Sequence, residues 1–258
     1  MNKHAIAFSV DDNYMHYAIA LLKSLIKHET CADIYVRGVN LKQTNIDCIK
    51  SIGSNINIIP DNMQHLNSRK VLMKKLPDPE ELFWTYSGNV FKRKGVKNII
   101  KTMYSELAAY SCHSRFKTIC ELIPEHDTLL CLDADTVVNK NFDHIFELNT
   151  NDLYVVPYGE EQQLFHNEGL LLVNNTNNSK QFFENVKQRL FDDQQRWLDW
   201  DADTQVLTDV YNNKKISIGH LDDAYKDKKH LHESYMWSGD GPRKQYKTFQ
   251  QRVDESND

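Results

Sequence analysis

Leu129-Leu130-Cys131-Leu132-Asp133-Ala134-Asp135 is the stretch that decides the fold. The four apolar residues read as a buried strand, and two carboxylates follow at its carboxyl end. Ligands in open α/β sheets bind beyond the carboxyl ends of the strands, so this pair is predicted to face a crevice rather than the core. Asp133 and Asp135, at i and i+2, are therefore candidate ligands of a hard divalent cation, which requires oxygen donors. Aspartates also favour ordinary turns, so the rest of the chain must decide between the two readings.

Toward the N-terminus, Ala5 to Val10 is a short apolar run ended by Asp11-Asp12-Asn13, a strand entering a loop. Tyr17, Ala18, Leu21, Leu22, Leu25 and Ile26 recur at helical spacing, with Lys27 and His28 in the last turn, where cations suit the macrodipole. Ile34 to Val39 is a second strand, Thr44 to Ile52 a helix, and Ile56 to Pro60 a third strand stopped by proline. Between residues 61 and 97 the pattern weakens, and this mixed stretch reads as an insertion or lid. A helix is expected from Val96 to Ser114. Past the acidic pair come strands at Leu153 to Pro157 and Leu170 to Val173, a helix from Ser179 to about Phe191, and a closing segment rich in glycine and charge. Strands alternating with helices imply an α/β fold with a largely parallel sheet.

With 258 residues and 40% hydrophobic content, the chain can close one substantial core, and a single domain spanning 1–258 is expected. A net charge of −5 argues against a nucleic-acid partner held by its phosphates. Lys92-Arg93-Lys94 and Lys226 to Lys229 are basic runs of the kind that usually form solvated faces. Five cysteines without C-x-x-C spacing suggest neither a disulfide framework nor a zinc site. That cysteine usage fits a cytoplasmic protein, and with no uncharged apolar run of the ~18 residues needed for a transmembrane segment the chain is expected to be soluble. Of the histidines, His113 and His126 read as surface or helix residues, while the His220 to His232 region lies in a plausible site segment. Trp84, Trp197, Trp200 and Trp237 read as packing residues, with Trp237 the best candidate for more.

Three segments taken in order carry a resemblance: Val10-Asp11-Asp12-Asn13-Tyr14, Leu132-Asp133-Ala134-Asp135-Thr136, and Phe165-His166-Asn167-Glu168-Gly169-Leu170-Leu171-Leu172-Val173-Asn174. The series resembles glycosyltransferase family 8, the bacterial lipopolysaccharide galactosyl- and glucosyltransferases and their glycogenin-like relatives. The similarity covers most of the chain except the stretch near 61–97. It implies a GT-A nucleotide-diphospho-sugar transferase fold with a mixed, mostly parallel sheet flanked by helices. It also implies a UDP-hexose donor, Mn²⁺ or Mg²⁺, and retention of anomeric configuration. Asp11, Asp12, Asn13 and Tyr14 would then bind the nucleotide, with Asp11 and Asn13 on the uracil and Tyr14 stacked against it. Asp133 and Asp135 would hold the metal, with Asp133 also reaching the donor. Asn167 would approach the donor sugar.

Two further stretches resemble family positions with departures. Asp201-Ala202-Asp203 resembles a D-Q-D motif at the sugar pocket, with Ala202 in place of the glutamine. Ser238 to Tyr246 resembles H-x-x-G-P-x-K-P-W, which places Gly241 and Lys244 at the diphosphate and Ser238 where the family has a metal-binding histidine. His232, His230 or Ser238 must then complete the metal site, and His232 is favoured. The family's Y-x-R aligns with Tyr104-Ser105-Glu106, which leaves Lys101 and Arg115 as substitutes for the arginine. Asn167, Glu168, Asp201 and Asp203 form the candidate catalytic set, since a carboxylate such as Glu168 could stabilise an oxocarbenium-like transition state.

The reaction implied is hexose transfer, from UDP-glucose or UDP-galactose, to a hydroxyl on a glycan acceptor such as lipopolysaccharide. A lipid-linked acceptor would bring the enzyme to the inner face of the membrane as a peripheral protein. Two alternatives stand beside it. One is a haloacid-dehalogenase-like phosphatase with Asp133 as nucleophile and Asp135 as acid, opposed by the three strands preceding the pair. The other is a non-catalytic nucleotide-sugar-binding protein.

Overall fold

The computed structural model describes residues 3–63, 66, 71–75, 90–91, 101–157, 165, 169–192, 196–198, 202–239 and 241–257. Seven strands form the main sheet: β1 (His4–Val10), β2 (Asp33–Val39), β3 (Ile56–Asp61), β7 (Thr128–Leu132), β9 (Leu153–Val155), β10 (Leu170–Asn174) and β11 (Ile218–His220). Their order is β11-β9-β10-β7-β1-β2-β3. Every pairing is parallel except the two made by β10, which runs antiparallel to both β7 and β9. The fold is thus the expected α/β type with a mixed, mostly parallel sheet.

Alternation of side chains along each strand divides the apolar runs between two cores. Ile6, Phe8, Leu130, Leu132, Leu170 and Leu172 face one side, where Ala18, Leu21, Leu22 and Leu25 of α1 (Met15–Lys27) and Ile49 of α2 (Gln43–Ile52) cover them. Ala5, Ala7, Leu129, Cys131, Leu171 and Val173 face the other. There they meet α4 (Arg115–Leu122), α5 (Asn177–Phe191) and α6 (Ala202–Asn213), through Phe116, Ile119, Phe182, Val186, Val206 and Val210. Each fully buried leucine contributes about 1.5–3 kcal/mol relative to exposure. A strand covered on both faces therefore reads as an unbroken apolar run.

Two small sheets complete the described residues. β4 (Val71–Lys75), β5 (Val90–Phe91) and β6 (Lys101–Ser105) pair antiparallel in the order β4-β6-β5. Residues 64–65, 67–70, 76–89 and 92–97 of the 61–97 stretch lie outside the described residues. β8 (Thr136–Val138) pairs antiparallel with β12 (Met236–Ser238), and this pairing matters for the site. It draws the C-terminal segment back onto the acidic pair, and α7 (Lys247–Asn257) then packs on α1 through Phe249, Val253, Tyr17 and Ala20.

The helix expected over Val96 to Ser114 is not formed as one piece. Residues 101–105 are the strand β6, and only α3 (Glu106–His113) is helical within that range. Ser105 ends the strand and caps the helix, its Oγ accepting from the Ala108 N–H at 3.0 Å. α4 follows at once after Ser114. Of the two histidines read as surface or helix residues, His113 ends α3, and both it and His126 are buried.

Candidate active site

β7 delivers Asp133 beyond its last apolar residue, and β10 arrives beside it from the opposite direction. The Asp133 N–H donates to the Gly169 carbonyl at 2.9 Å, which fixes the backbone just ahead of β10 against the carboxylate. Gly169 is required there by space. A Cβ on it would lie 1.7 Å from Asp133 Oδ2 and 2.2 Å from Lys226 Nζ.

Three cationic side chains converge on the acidic pair. Arg115, the first residue of α4, places Nη1 2.9 Å from Asp133 Oδ1, and Lys226 Nζ lies 3.4 Å from Asp133 Oδ2. Lys244 Nζ stands 2.9 Å from Asp135 Oδ2 and donates to the Tyr14 hydroxyl at 3.0 Å. The same ammonium sits 4.8 Å from the Tyr14 ring centroid. Burial works to lower the pKa of Lys244, but the Asp135 carboxylate and Tyr14 outweigh it and hold the ammonium protonated well above the ordinary lysine range. Burial likewise opposes the charge on Arg115, and Asp133 more than restores it. Tyr14 is pushed up, chiefly by burial.

One lysine thus ties the first-strand motif, the acidic pair and the C-terminal segment together, three stretches separated by more than a hundred residues each. The β8–β12 pairing makes this possible, with Ser238 in register with Thr136 and the Gly239 N–H donating to the Asp135 carbonyl at 2.8 Å. The profile of "Glycosyl transferase family 8" matches residues 5–256. The chain belongs to glycosyltransferase family 8. Similar solved structures include the glycosyltransferase GlyE of Streptococcus pneumoniae TIGR4, 18% identical with a TM-score of 0.60. The family 8 chain is covered over 99% of its length in that match and spans 60% of GlyE. The galactosyltransferase LgtC, in complex with donor and acceptor sugar analogs, is 15% identical over 97% of this chain and 95% of its own, with a TM-score of 0.58. The bifunctional glycosyltransferase WbbM is 14% identical over 98% of this chain and 50% of its own, with a TM-score of 0.56. No curated protein sequence matches significantly. These likenesses establish the GT-A fold, and family membership removes the phosphatase alternative.

The remaining predicted residues of this family 8 chain are placed as follows. Asp11 is buried, and its Oδ1 accepts from the Asn13 N–H at 2.8 Å to cap the turn Asp12–Tyr14; burial raises its pKa. Asn13 is exposed beside it. Asp12 turns away toward α2, where Oδ1 accepts from the Lys42 N–H at 3.1 Å and from Asn45 Nδ2 at 2.7 Å. Gly241 and Lys244 share the turn Gly241–Gln245. Asp203 is buried in the first turn of α6, with Oδ1 3.7 Å from His113 Nε2. Burial would raise its pKa, but His113 and Arg115 outweigh burial and lower it. Asn167, Glu168 and Asp201 lie outside the described residues.

The histidine region is ordered by Asp227, a buried carboxylate that accepts from the Lys229 N–H at 2.6 Å and the Ser234 hydroxyl at 2.8 Å. That loop turns His232 outward, exposed, and His230 inward, where its Nε2 meets the Ser238 carbonyl at 3.0 Å. Among the described residues, His232 gathers into no three-ligand group with Asp133 and Asp135. Ser238 is buried next to Asp135 in the β8–β12 pairing.

The acidic pair itself fits a hard cation. Its donors are carboxylate oxygens, and the Lys244 ammonium already stands on Asp135 as a positive charge at that position. Of the two candidates for the arginine's place, Arg115 lies against Asp133, while Lys101 opens β6; Glu106 occupies the first turn of α3. Lys226 was not legible as a site residue. It heads a basic run of the kind that forms solvated faces, yet it is buried against Asp133.

Proposed function

We propose that this chain is a retaining glycosyltransferase that moves glucose or galactose from a UDP-sugar to a hydroxyl on a glycan acceptor. The observation that carries the reading is the Tyr14–Lys244–Asp135 contact, because a nucleotide diphosphate needs an aromatic surface, a cation and an acidic metal site within one ligand's length. Tyr14 offers its ring to the base. Lys244 and Arg115 offer fixed positive charge to the diphosphate, and the Gly169 cradle holds Asp133 in place beside the donor. A divalent ion, Mn²⁺ or Mg²⁺, held by Asp133 and Asp135 would neutralise the charge that develops on the departing diphosphate. Ser238 is assigned as the third group in place of His232, because the Gly239 N–H beside it donates to the Asp135 carbonyl whereas His232 is exposed and would need its loop to turn inward.

Catalysis then rests on positioning and on electrostatic stabilisation of the leaving group, the terms that pre-oriented cations supply best in a partly desolvated cleft. In a front-face displacement the leaving phosphate takes the acceptor's proton, so no protein base is required. Asn167 and Glu168, immediately ahead of Gly169, are assigned to the donor sugar together with Asp201. Asp203 acts behind Arg115 instead of on the sugar. The insertion at 61–97 is assigned to acceptor contact or closure over the cleft, within a single domain. A bacterial surface glycan such as lipopolysaccharide is the favoured acceptor, which would be met at the inner face of the membrane. Among the described residues no helix is long and apolar enough to cross a membrane.

Release of UDP, measured across a panel of UDP-hexoses with Mn²⁺, tests the proposal. The wild type should turn over at least one donor and Asp135→Ala should lose at least about 100-fold, the scale of deleting one charge-stabilising group. Undiminished release by Asp135→Ala would defeat the metal assignment. Ala202, at the position of the family glutamine, is buried in the core and supports the binding-only alternative. UDP binding without release from any hexose donor would select that alternative.

A further inference from the structure

Behind Arg115 lies a cluster to which the transferase reading gives no contact with the donor. Cys112 and His113 end α3, Asp203 opens α6, and one ligand atom from each lies within 4.8 Å of the other two. His113 is fully buried and its Nδ1 meets the Trp197 carbonyl at 2.9 Å. A carbonyl only accepts, so Nδ1 donates to it and Nε2 is the ring nitrogen left facing Asp203. That Nε2 is buried with no hydrogen-bond partner, and the nearest carboxylate oxygen, Asp203 Oδ1, stands 3.7 Å away. The distance is too long for a hydrogen bond, and the gap between this nitrogen, the carboxylate and the Cys112 sulfur has the dimensions of a cation site.

We propose that Cys112 Sγ, His113 Nε2 and Asp203 form a binding site for a zinc-type divalent cation, distinct from the hard-cation site at Asp133 and Asp135. Three lines of chemistry support it. An imidazole whose other nitrogen is held by a backbone carbonyl is the usual arrangement of a metal-ligating histidine. Ligand atoms around tetrahedral zinc are separated by about 3.5 Å, so the observed spacing needs only small side-chain rotations. A thiol, an imidazole and a carboxylate prefer zinc over Mg²⁺ or Mn²⁺, which prefer oxygen donors alone. Binding replaces the Cys112 S–H bond with a sulfur–metal bond and releases that proton to solvent, with no change of oxidation state. Burial pushes the Cys112 thiol up to about 12, so the bound cation must supply the charge that stabilises the thiolate, with Arg115 Nη2, 3.2 Å from Sγ, working in the same direction. The same guanidinium is paired with Asp133, so the site would also hold Arg115 in its orientation. The ion would pin the end of α3 to the start of α6.

The test is cobalt(II) titration of the full chain after dialysis against a chelator. The wild type should develop a thiolate-to-cobalt charge-transfer band that saturates at about one equivalent and is erased by added zinc. The band should persist in Asp135→Ala, which separates this site from the donor site. It should vanish in Cys112→Ser, shown by circular dichroism to be folded, and His113→Gln should weaken cobalt binding about tenfold or more. Absence of the band in folded wild-type protein, or its survival in Cys112→Ser, overturns the proposal.

Discussion

Replacing Gly169 with alanine probes the site through one methyl group. The added Cβ would meet Asp133 Oδ2 at 1.7 Å, Asp133 Cγ at 2.5 Å and Lys226 Nζ at 2.2 Å. Gly169 cannot retreat easily, since its carbonyl accepts the Asp133 N–H and the next residue, Leu170, pairs with Leu132. The carboxylate must therefore move by about 1.7 Å, half of an ordinary 3.4 Å contact, and its 2.9 Å pairing with Arg115 is lost. Overpacking of this kind costs about 2 kcal/mol, which lowers the Tm of a chain this long by about 4–8 °C. A ligand displaced by more than 1 Å costs about 100-fold in kcat/KM. Calorimetry and a UDP-release assay measure the two effects separately. Gly219→Ala is the control, because its Cβ would strike the Tyr154 ring at 2.3 Å, remote from the acidic pair. It should lose stability while keeping the activity of each folded molecule. Should Gly169→Ala retain kcat/KM within about twofold of wild type, Asp133 has no metal or donor role.

Three more outcomes follow from particular contacts. Asp12→Ala should cost about 1–2 kcal/mol of stability, because Asp12 joins the first loop to Lys42 and Asn45, and should leave the donor KM unchanged in steady-state kinetics. Lys244→Met removes the ammonium from Asp135 and Tyr14, so donor KM should rise about 10- to 100-fold, while isothermal titration of the nucleotide-free protein should show tighter Mn²⁺ binding. Burial would raise the pKa of Asp152, but hydrogen bonds from Thr176, Ser217 and Asn178 outweigh it and hold the carboxyl below its ordinary 3.8. A depressed carboxyl stabilises the fold fully above that value and loses its contribution as the pH falls below it. Urea midpoints should thus fall more steeply on acidification for the wild type than for Asp152→Asn.

The sequence makes the sheet legible where strands are buried on both faces. The runs at residues 129–132 and 170–173 have no polar interruption, that at 5–10 has only Ser9, and all three are central strands. β8, β11 and β12 have three residues each, too few to show a period, so the pairing that returns Ser238 to Thr136 was invisible. The Val96 to Ser114 expectation failed because Met103, Tyr104 and Leu107 fit a helical stripe equally well, whereas Ser105 is a capping residue that starts α3. α6 went unread because Asp203, Thr204 and Gln205 stand ahead of Val206 and Leu207, and Thr208 and Asp209 part these from Val210, which leaves a short apolar stripe. The acidic pair announced itself by following a strand. Lys226 and His113 did not, since their burial depends on partners distant in the chain.

β10 alone runs against its neighbours, and this reverses the local grammar of the cleft. Along β1 and β7, the residues that meet at the crevice come just after the strand, but along β10 the contact with Asp133 is made by the backbone of Gly169, just before it. A scan for positions intolerant of change should find them trailing two strands and leading the third. Lengthening the turn after Asn174 would then disturb only the far rim, whereas one residue inserted before Leu170 would shift the wall against which Asp133 rests.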